Sequence, residues 1–181
     1  MNYNISADVF QEPFPHIIFY NFYDEYELKL IWEELDFFTK DGKLFEAKDF
    51  GGVVEKTNSK AIWLDKIYPK QYRHISNILT VNRKVFDEKI LEAFGNIHDC
   101  CFIAKSCNYD TTKVRYYHDG DYYDPHIDKT VQFLGFSYFY REPKKFNGGE
   151  LIFPKYDYKF NCDNNSLIMM PGWVEHGVSQ V

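Results

Sequence analysis

The sequence predicts a single α+β domain whose N-terminal helices pack on one face of a β core. Three observations lead there. Aromatic residues reach 19%, with 17 Phe and 15 Tyr, and such rings suit pleated, half-buried surfaces. Helical spacing of apolar residues is confined to the N-terminal half. From about Ile97 onward, short aromatic or branched runs alternate with Asp, Gly, Pro and Asn. Helices followed by many short strands are the mark of a segregated α+β fold. A length of 181 residues suits one core, and no repeat, low-complexity tract or linker divides the chain.

The first helix is expected over Asp24 to Phe38, where Leu28, Ile31, Trp32, Leu35 and Phe38 share a face. Asp24 with Glu27 three positions on has the form of a capping box. A second helical stretch lies within Pro69 to Phe94, marked by Ile75, Ile78 and Leu79 and then Phe86, Ile90, Leu91 and Phe94, with Gly95 as its stop. Between them, Asp41 to Lys60 is polar and carries Gly42, Gly51 and Gly52. It reads as a long flexible excursion, either a lid or a disordered connection.

Strands are expected over Cys101 to Lys105, Lys113 to His118, Val131 to Tyr140, Glu150 to Phe153, Tyr156 to Phe160, Ser166 to Met170 and Glu175 to Val181. Turns fall at Asp119-Gly120-Asp121, Asn147-Gly148-Gly149 and Asp163-Asn164-Asn165.

A net charge of −6, from 21 basic and 27 acidic residues, argues against nucleic acid as a partner, because no basic field exists to displace counterions. Met1 to Pro15 has no basic start followed by an apolar stretch, so no secretory signal is expected. No apolar run approaches the roughly 18 residues of a membrane span. The four cysteines, Cys100, Cys101, Cys107 and Cys162, form no CxxC pair and read as free thiols of a reducing, cytoplasmic setting.

The strongest local signal is Asp124-Pro125-His126-Ile127-Asp128. In an extended strand, residues two apart share a face, so His126 and Asp128 can offer an imidazole and a carboxylate to one ion. The plainer reading is a surface hydrogen bond between them. A third ligand is available in His176, within Gly172-Trp173-Val174-Glu175-His176. Two histidines and one carboxylate on one face of an octahedron leave three positions open, a set that suits iron(II). A 2-oxo acid can fill two of these and leave one for dioxygen.

Three ordered blocks turn this pattern into a resemblance. Tyr117-His118-Asp119-Gly120-Asp121-Tyr122-Tyr123-Asp124-Pro125-His126-Ile127-Asp128 resembles the prolyl 4-hydroxylase-like 2-oxoglutarate and iron(II)-dependent oxygenases, whose pattern is Tyr-x-x-Gly-x-x-Tyr-x-Pro-His-x-Asp. Phe146-Asn147-Gly148-Gly149-Glu150-Leu151-Ile152-Phe153-Pro154 is similar to their second block. Met170-Pro171-Gly172-Trp173-Val174-Glu175-His176-Gly177-Val178 is similar to the block with the distal histidine. The blocks cover about a third of the chain, whereas the N-terminal half matches only in helical character.

The resemblance implies a double-stranded β-helix, or jelly-roll, with iron held by His126, Asp128 and His176. It also implies 2-oxoglutarate contacts from Tyr117 and Tyr138. The bland alternative for both tyrosines is core packing with a solvent-reaching hydroxyl. The implied activity is hydroxylation of an unactivated C–H bond, using iron(II), 2-oxoglutarate, dioxygen and ascorbate as reductant. Asp128 argues against halogenation, which needs that position vacated. A prolyl residue in a protein or peptide is the implied substrate. A free amino acid or other small molecule is the alternative, as is a non-catalytic metal- and 2-oxoglutarate-binding sensor. No oligomeric state is legible.

One departure matters. The family places a Lys or Arg about nine or ten residues beyond the distal histidine, where it pairs with the far carboxylate of 2-oxoglutarate. Only five residues follow His176 and none is basic. A buried carboxylate without a cation is costly. The expectation is therefore one oxygenase domain over residues 1–181 that lacks its natural C-terminal strand. Arg115, which shares strand parity with Tyr117, is the best internal substitute; Arg141 and Lys129 are weaker ones. Trp173 is expected to pack beneath the strand that bears His176, with a substrate contact as the alternative. His16, His74, His98 and His118 lack partners at a useful spacing and read as ordinary polar or core residues.

Overall fold

Asp24 starts helix α1 (Glu25–Lys40) by the predicted reciprocal cap. Its carboxylate accepts the Glu27 N–H at 2.8 Å, while the Glu27 carboxylate accepts the Asp24 N–H at 2.8 Å. This is seen in a computed structural model that describes residues 5–40, 42–49 and 56–181. A single turn, α2 (Leu64–Ile67), follows later in the chain. The second helical stretch is broken into a 3-10 turn (Lys70–Ile75), α3 (Asn77–Asn82), another 3-10 turn (Arg83–Phe86) and α4 (Glu88–Gly95). The breaks have local causes. Ser76 and Asp87 accept the N–H groups of Leu79 and Lys89, which restarts a helix at each point. The buried Glu34 carboxylate of α1 accepts from Ser76 Oγ at 2.9 Å and from the Ile78 N–H at 2.7 Å. An anion therefore sits at the positive end of α3 and clamps it to α1.

Among the described residues there are ten strands: β1 (Ser6–Phe10), β2 (His16–Tyr20), β3 (Lys60–Trp63), β4 (Lys113–Tyr116), β5 (Tyr123–His126), β6 (Phe133–Tyr138), β7 (Leu151–Phe153), β8 (Tyr158–Phe160), β9 (Ser166–Pro171) and β10 (His176–Val178). They form one sheet in the order β1-β2-β9-β6, a second in the order β5-β10-β7-β8, and a β3-β4 pair. All pairings are antiparallel.

Side-chain parity explains the layering. Ile17 and Phe19 of β2 and Leu167 and Met169 of β9 join the core built with α1, α3 and α4. Their neighbours Ile18, Ile168 and Met170 face the other way, into a cluster shared with Leu151, Phe153 and Phe160 of the second sheet. Helices thus cover one face of the first sheet and the second sheet covers the other. The unbroken apolar run of β9 follows from this, since all six of its positions are buried. The mixed helix and antiparallel-sheet class, with helices on one face, is as the sequence implied.

Several elements differ. Cys101 to Lys105 is not a strand but part of a 3-10 helix (Asp99–Ser106). The His98 ring accepts the Cys100 N–H at 3.2 Å, and the His98 carbonyl accepts the Cys101 N–H at 2.8 Å. Burial of Cys101 and Ala104, three apart, fits that helical period. The expected strands at 131–140, 156–160 and 175–181 shrink to β6, β8 and β10, with Pro154–Tyr156 forming a 3-10 turn. The expected strands do not include β1, β2 or β3, and of the extended stretch assumed for His126 and Asp128 the strand β5 covers only Tyr123–His126.

Parts of the expected 41–60 excursion, residues 41 and 50–55, lie outside the described residues. Elsewhere in that segment Leu44 and Ala47 are buried. Phe45 and Ala61 exchange backbone hydrogen bonds of 3.0 and 2.9 Å, so residues 44–47 are a packed element rather than a loose connection. Trp173 does not pack beneath its strand; half of its surface is exposed. All four cysteines are free. Among the described residues no helix is long and apolar enough to cross a membrane.

Candidate metal centre

The sequence-predicted ligands converge through the pairing of β5 with β10. His126 and His176 are direct partners across this antiparallel pair, and directly opposed residues share a face. Their ring centroids lie 4.5 Å apart. Asp128 stands two residues beyond His126, just past the end of β5, and its Oδ2 is 3.8 Å from His176 Nε2. One ligand atom from each of the three residues lies within 4.8 Å of the others. Gly177 makes the close pairing possible. A Cβ there would lie 2.7 Å from the Tyr123 carbonyl oxygen and 3.0 Å from the Pro125 nitrogen.

Hydrogen bonds fix which nitrogen faces the centre. His126 Nδ1 lies 3.0 Å from the Asp124 carbonyl oxygen, and His176 Nδ1 lies 2.9 Å from that of Val174. A carbonyl only accepts, so each Nδ1 carries the proton and each Nε2 presents a lone pair. Backbone carbonyls commonly orient metal-ligating histidines in this way. Two imidazole lone pairs and a carboxylate facing one another have no donor between them. Such a group of acceptors is stabilised by a cation. Burial pushes the pKa of both histidines down, and the two backbone carbonyls only partly oppose it. Neutral imidazoles are the form that binds metal. The donor set fits a hard or borderline divalent ion, iron(II) included.

Aromatic rings hold the ligands in place. Tyr123 stacks on His126 at 3.9 Å, and Phe136 of β6 packs against His176 at 5.1 Å. The Arg115 guanidinium lies 4.3 Å from the Tyr123 ring centre and donates to Ser59 Oγ at 2.6 Å. Thr57 and Ser59 are fully buried, and Thr57 bridges to Tyr123. Neither hydroxyl was singled out from the sequence. The available signal was Thr57-Asn58-Ser59, two hydroxyls at strand spacing.

Of the other sequence candidates, Arg115, Tyr117 and Tyr138 are neighbours, Tyr117 lying near both of the others. Burial raises the Tyr117 phenol, while nearby Arg115 and a hydrogen bond with Ser59 oppose that shift. Burial also raises Tyr138 well above the ordinary tyrosine range, helped by Cys162, to which it is hydrogen-bonded. Each ring keeps some exposed surface, but the hydroxyl ends lie deep. Lys113, two residues before Arg115 on β4, was not foreseen. Burial and the neighbouring Arg115 cation push its pKa down to about 8, with Asp128 opposing, and its Nζ lies 4.0 Å from the Trp63 ring centre. Arg141 is engaged elsewhere, pairing with Asp36 of α1 at 2.8 Å and lying over Trp32. Lys129 is exposed. His16 is a core residue, its ring stacked on Phe10 at 4.6 Å. The acidic turn near Gly120 is structural, with Asp121 accepting the His118 N–H at 2.8 Å.

No protein-family model matches the chain, and no curated protein sequence matches it. Among solved structures, it is similar to a viral collagen prolyl hydroxylase from Paramecium bursaria Chlorella virus-1, in a complex with 2OG. The identity is 18% and the TM-score 0.50, over 91% of this chain and 88% of that one. At that identity the likeness is one of fold.

Proposed function

We propose that the chain is an iron(II)- and 2-oxoglutarate-dependent oxygenase that hydroxylates an unactivated C–H bond, with a prolyl residue of a protein or peptide as substrate. The observation that carries this reading is the convergence of His126, Asp128 and His176, with each imidazole turned so that Nε2 is free. The two facing four-stranded sheets support a double-stranded β-helix as the scaffold. The similarity to a prolyl hydroxylase structure supports the substrate class. Hydroxylation of a free amino acid or other small molecule is the second reading.

In this proposal His126, Asp128 and His176 hold the iron. With 2-oxoglutarate and dioxygen, the bound metal supplies an oxidant strong enough for an aliphatic C–H bond. The chain's own residues do the rest. Tyr123 and Phe136 fix the two imidazole planes, and the buried sheet-to-sheet core keeps water from the inner side of the site. Arg115, Tyr117 and Tyr138 form the pocket for the far carboxylate of 2-oxoglutarate, which needs a cation and hydroxyl donors when buried. In this reading Arg115 takes the role that a later basic residue plays in the family pattern. Ascorbate serves to keep the metal reduced. Four free thiols suit a cytoplasmic setting.

The test is succinate formation from 2-oxoglutarate in the presence of iron(II) and ascorbate, with and without proline-rich peptides and free proline. Succinate together with a peptide gaining one oxygen by mass spectrometry is the expected result. Oxygen gained by free proline alone selects the small-molecule reading. Absence of succinate under every condition, with iron bound, selects the sensor role.

A further inference from the structure

Strand β4 turns two cations toward the metal centre. Lys113 and Arg115 are two apart on it and share a face, while Val114 between them joins the helix-side core. Contacts fix the direction of that face. The Arg115 guanidinium lies 4.3 Å from the Tyr123 ring centre, and Tyr123 stacks on His126 at 3.9 Å. Lys113 stands opposite Trp63 across the β3-β4 pair, with its Nζ 4.0 Å from the indole centre.

The neighbours of each side chain give their order along this face. Tyr117, at one end, is hydrogen-bonded to Ser59 and lies near Arg115, Tyr123 and Cys162, and Tyr138 lies near Tyr117 and Cys162. Lys113, at the other end, lies near Asp128. Four residues of extended chain, up to about 13 Å, separate the two ends. The far carboxylate of 2-oxoglutarate, held by Arg115, Tyr117 and Tyr138 in the proposed function, therefore sits toward the end away from Lys113. Lys113 belongs to the Asp128 side of the site. Both cations are felt at His126, where each lowers the pKa.

We propose that Lys113 is a specificity-determining residue: its ammonium, backed by Trp63, receives a carboxylate carried by the substrate. This role rests on the oxygenase reading and adds to it the charge of the molecule that is hydroxylated. Charge complementarity selects the occupant. A half-buried ammonium has lost part of its water, and an anion offsets that loss through a charge-assisted hydrogen bond. In the metal-free chain Asp128 is an opposing charge nearby. When Asp128 ligates a metal ion its carboxylate is committed there, and an incoming anion meets the positive field of Lys113 and Arg115. A pKa of about 8 leaves Lys113 mostly protonated at pH 7. The indole face favours the ammonium and restricts its position. The same two cations disfavour a basic substrate. An acidic side chain of a peptide and the carboxylate of a free amino acid offer Lys113 the same chemistry.

The experiment is anaerobic calorimetric titration at pH 7 of the full chain loaded with iron(II) and 2-oxoglutarate, for wild type, Lys113→Met and Lys113→Arg. Two pairs of probes exchange a carboxylate for an amide: an end-capped peptide of alternating proline and glutamate against its glutamine counterpart, and N-acetylproline against its amide. Wild type is expected to bind the acid of at least one pair at least fivefold more tightly. Preference within the peptide pair alone identifies an acidic peptide, and preference within the small pair alone a free acid. In Lys113→Met the preference falls to within twofold, Lys113→Arg keeps it, and iron(II) and 2-oxoglutarate affinities stay within threefold in all three. Equal binding of acid and amide by wild type, or no binding of any probe, overturns the assignment, as does a preference that survives in Lys113→Met. A loss of 2-oxoglutarate or iron(II) affinity in Lys113→Met also overturns it, by moving Lys113 to the co-substrate or to the support of Asp128. Failure of the wild-type chain to take up iron is a different outcome: it defeats the oxygenase reading, and the substrate role of Lys113 falls with it.

Discussion

Gly177→Ala isolates the strand pairing that brings the ligands together. A Cβ at residue 177 meets three backbone atoms of β5: the Tyr123 oxygen at 2.7 Å, the Pro125 nitrogen at 3.0 Å and the Asp124 carbonyl carbon at 3.2 Å. None is the end of a flexible side chain that can swing aside. Restoring a 3.4 Å contact to the Tyr123 oxygen requires β10 to retreat by about 0.7 Å, the difference between 3.4 and 2.7. Functional constellations tolerate displacements of only about 0.5 Å, and His176 is the residue next to the added methyl. Overpacking of this kind costs about 1–3 kcal/mol. The expected outcome is a folded protein, by circular dichroism, whose iron(II) affinity falls tenfold or more, equivalent to about 1.4 kcal/mol. Wild-type affinity and an unchanged melting temperature would refute the argument that this glycine sets the distance between the two imidazoles.

Other perturbations separate the remaining parts. Asp128→Ala removes a direct ligand, so metal affinity is expected to fall by more than the roughly 10–100-fold typical of outer-shell partners, measured by competition with a chelating dye. Arg115→Ala is expected to weaken 2-oxoglutarate binding while iron affinity stays within a few-fold of wild type; unchanged 2-oxoglutarate affinity removes Arg115 from the pocket. Asp24→Ala breaks the capping box and is expected to cost about 1 kcal/mol, a fall in melting temperature of roughly 2–4 °C for a chain of this size. The metal-free protein is expected to weaken in acid, because burial lowers the pKa of His16, His126 and His176 below the ordinary value of 6.5. The unfolded chain takes up these protons first, so the contribution is complete above pH 6.5 and is lost as pH falls through the lower folded values. Urea midpoints should be level between pH 8 and 7 and decline toward pH 5; a midpoint that rises on acidification contradicts this.

The legible features were those whose causes are local. The Asp24 and Glu27 cap needs only four consecutive residues, and both of its hydrogen bonds are present. The convergence of the candidate ligands was legible for a related reason: His126 and Asp128 are two apart, and the spacing to His176 is carried by turns that the sequence marks with Gly and Asp. The Cys101–Lys105 strand was misread because its composition suits a sheet, while the decisive bond, from the Cys100 N–H to the His98 ring, leaves no mark in composition. β2 was overlooked although His16–Tyr20 is an apolar run bounded by Pro15 and by Asn21, whose φ is 51°. The hydroxyl shelf of Thr57 and Ser59 under Arg115 depends on partners 56 and 58 residues away, and such distant pairings are set by packing that no local window contains.

If His126, Asp128 and His176 together hold one divalent ion, stoichiometric iron(II) titration under anaerobic conditions will show it. The expected result is one equivalent bound by wild type, a visible absorption band that appears only when 2-oxoglutarate is added, and loss of both in His126→Ala, Asp128→Ala and His176→Ala. Iron uptake that is absent in wild type, or that survives all three substitutions, contradicts it.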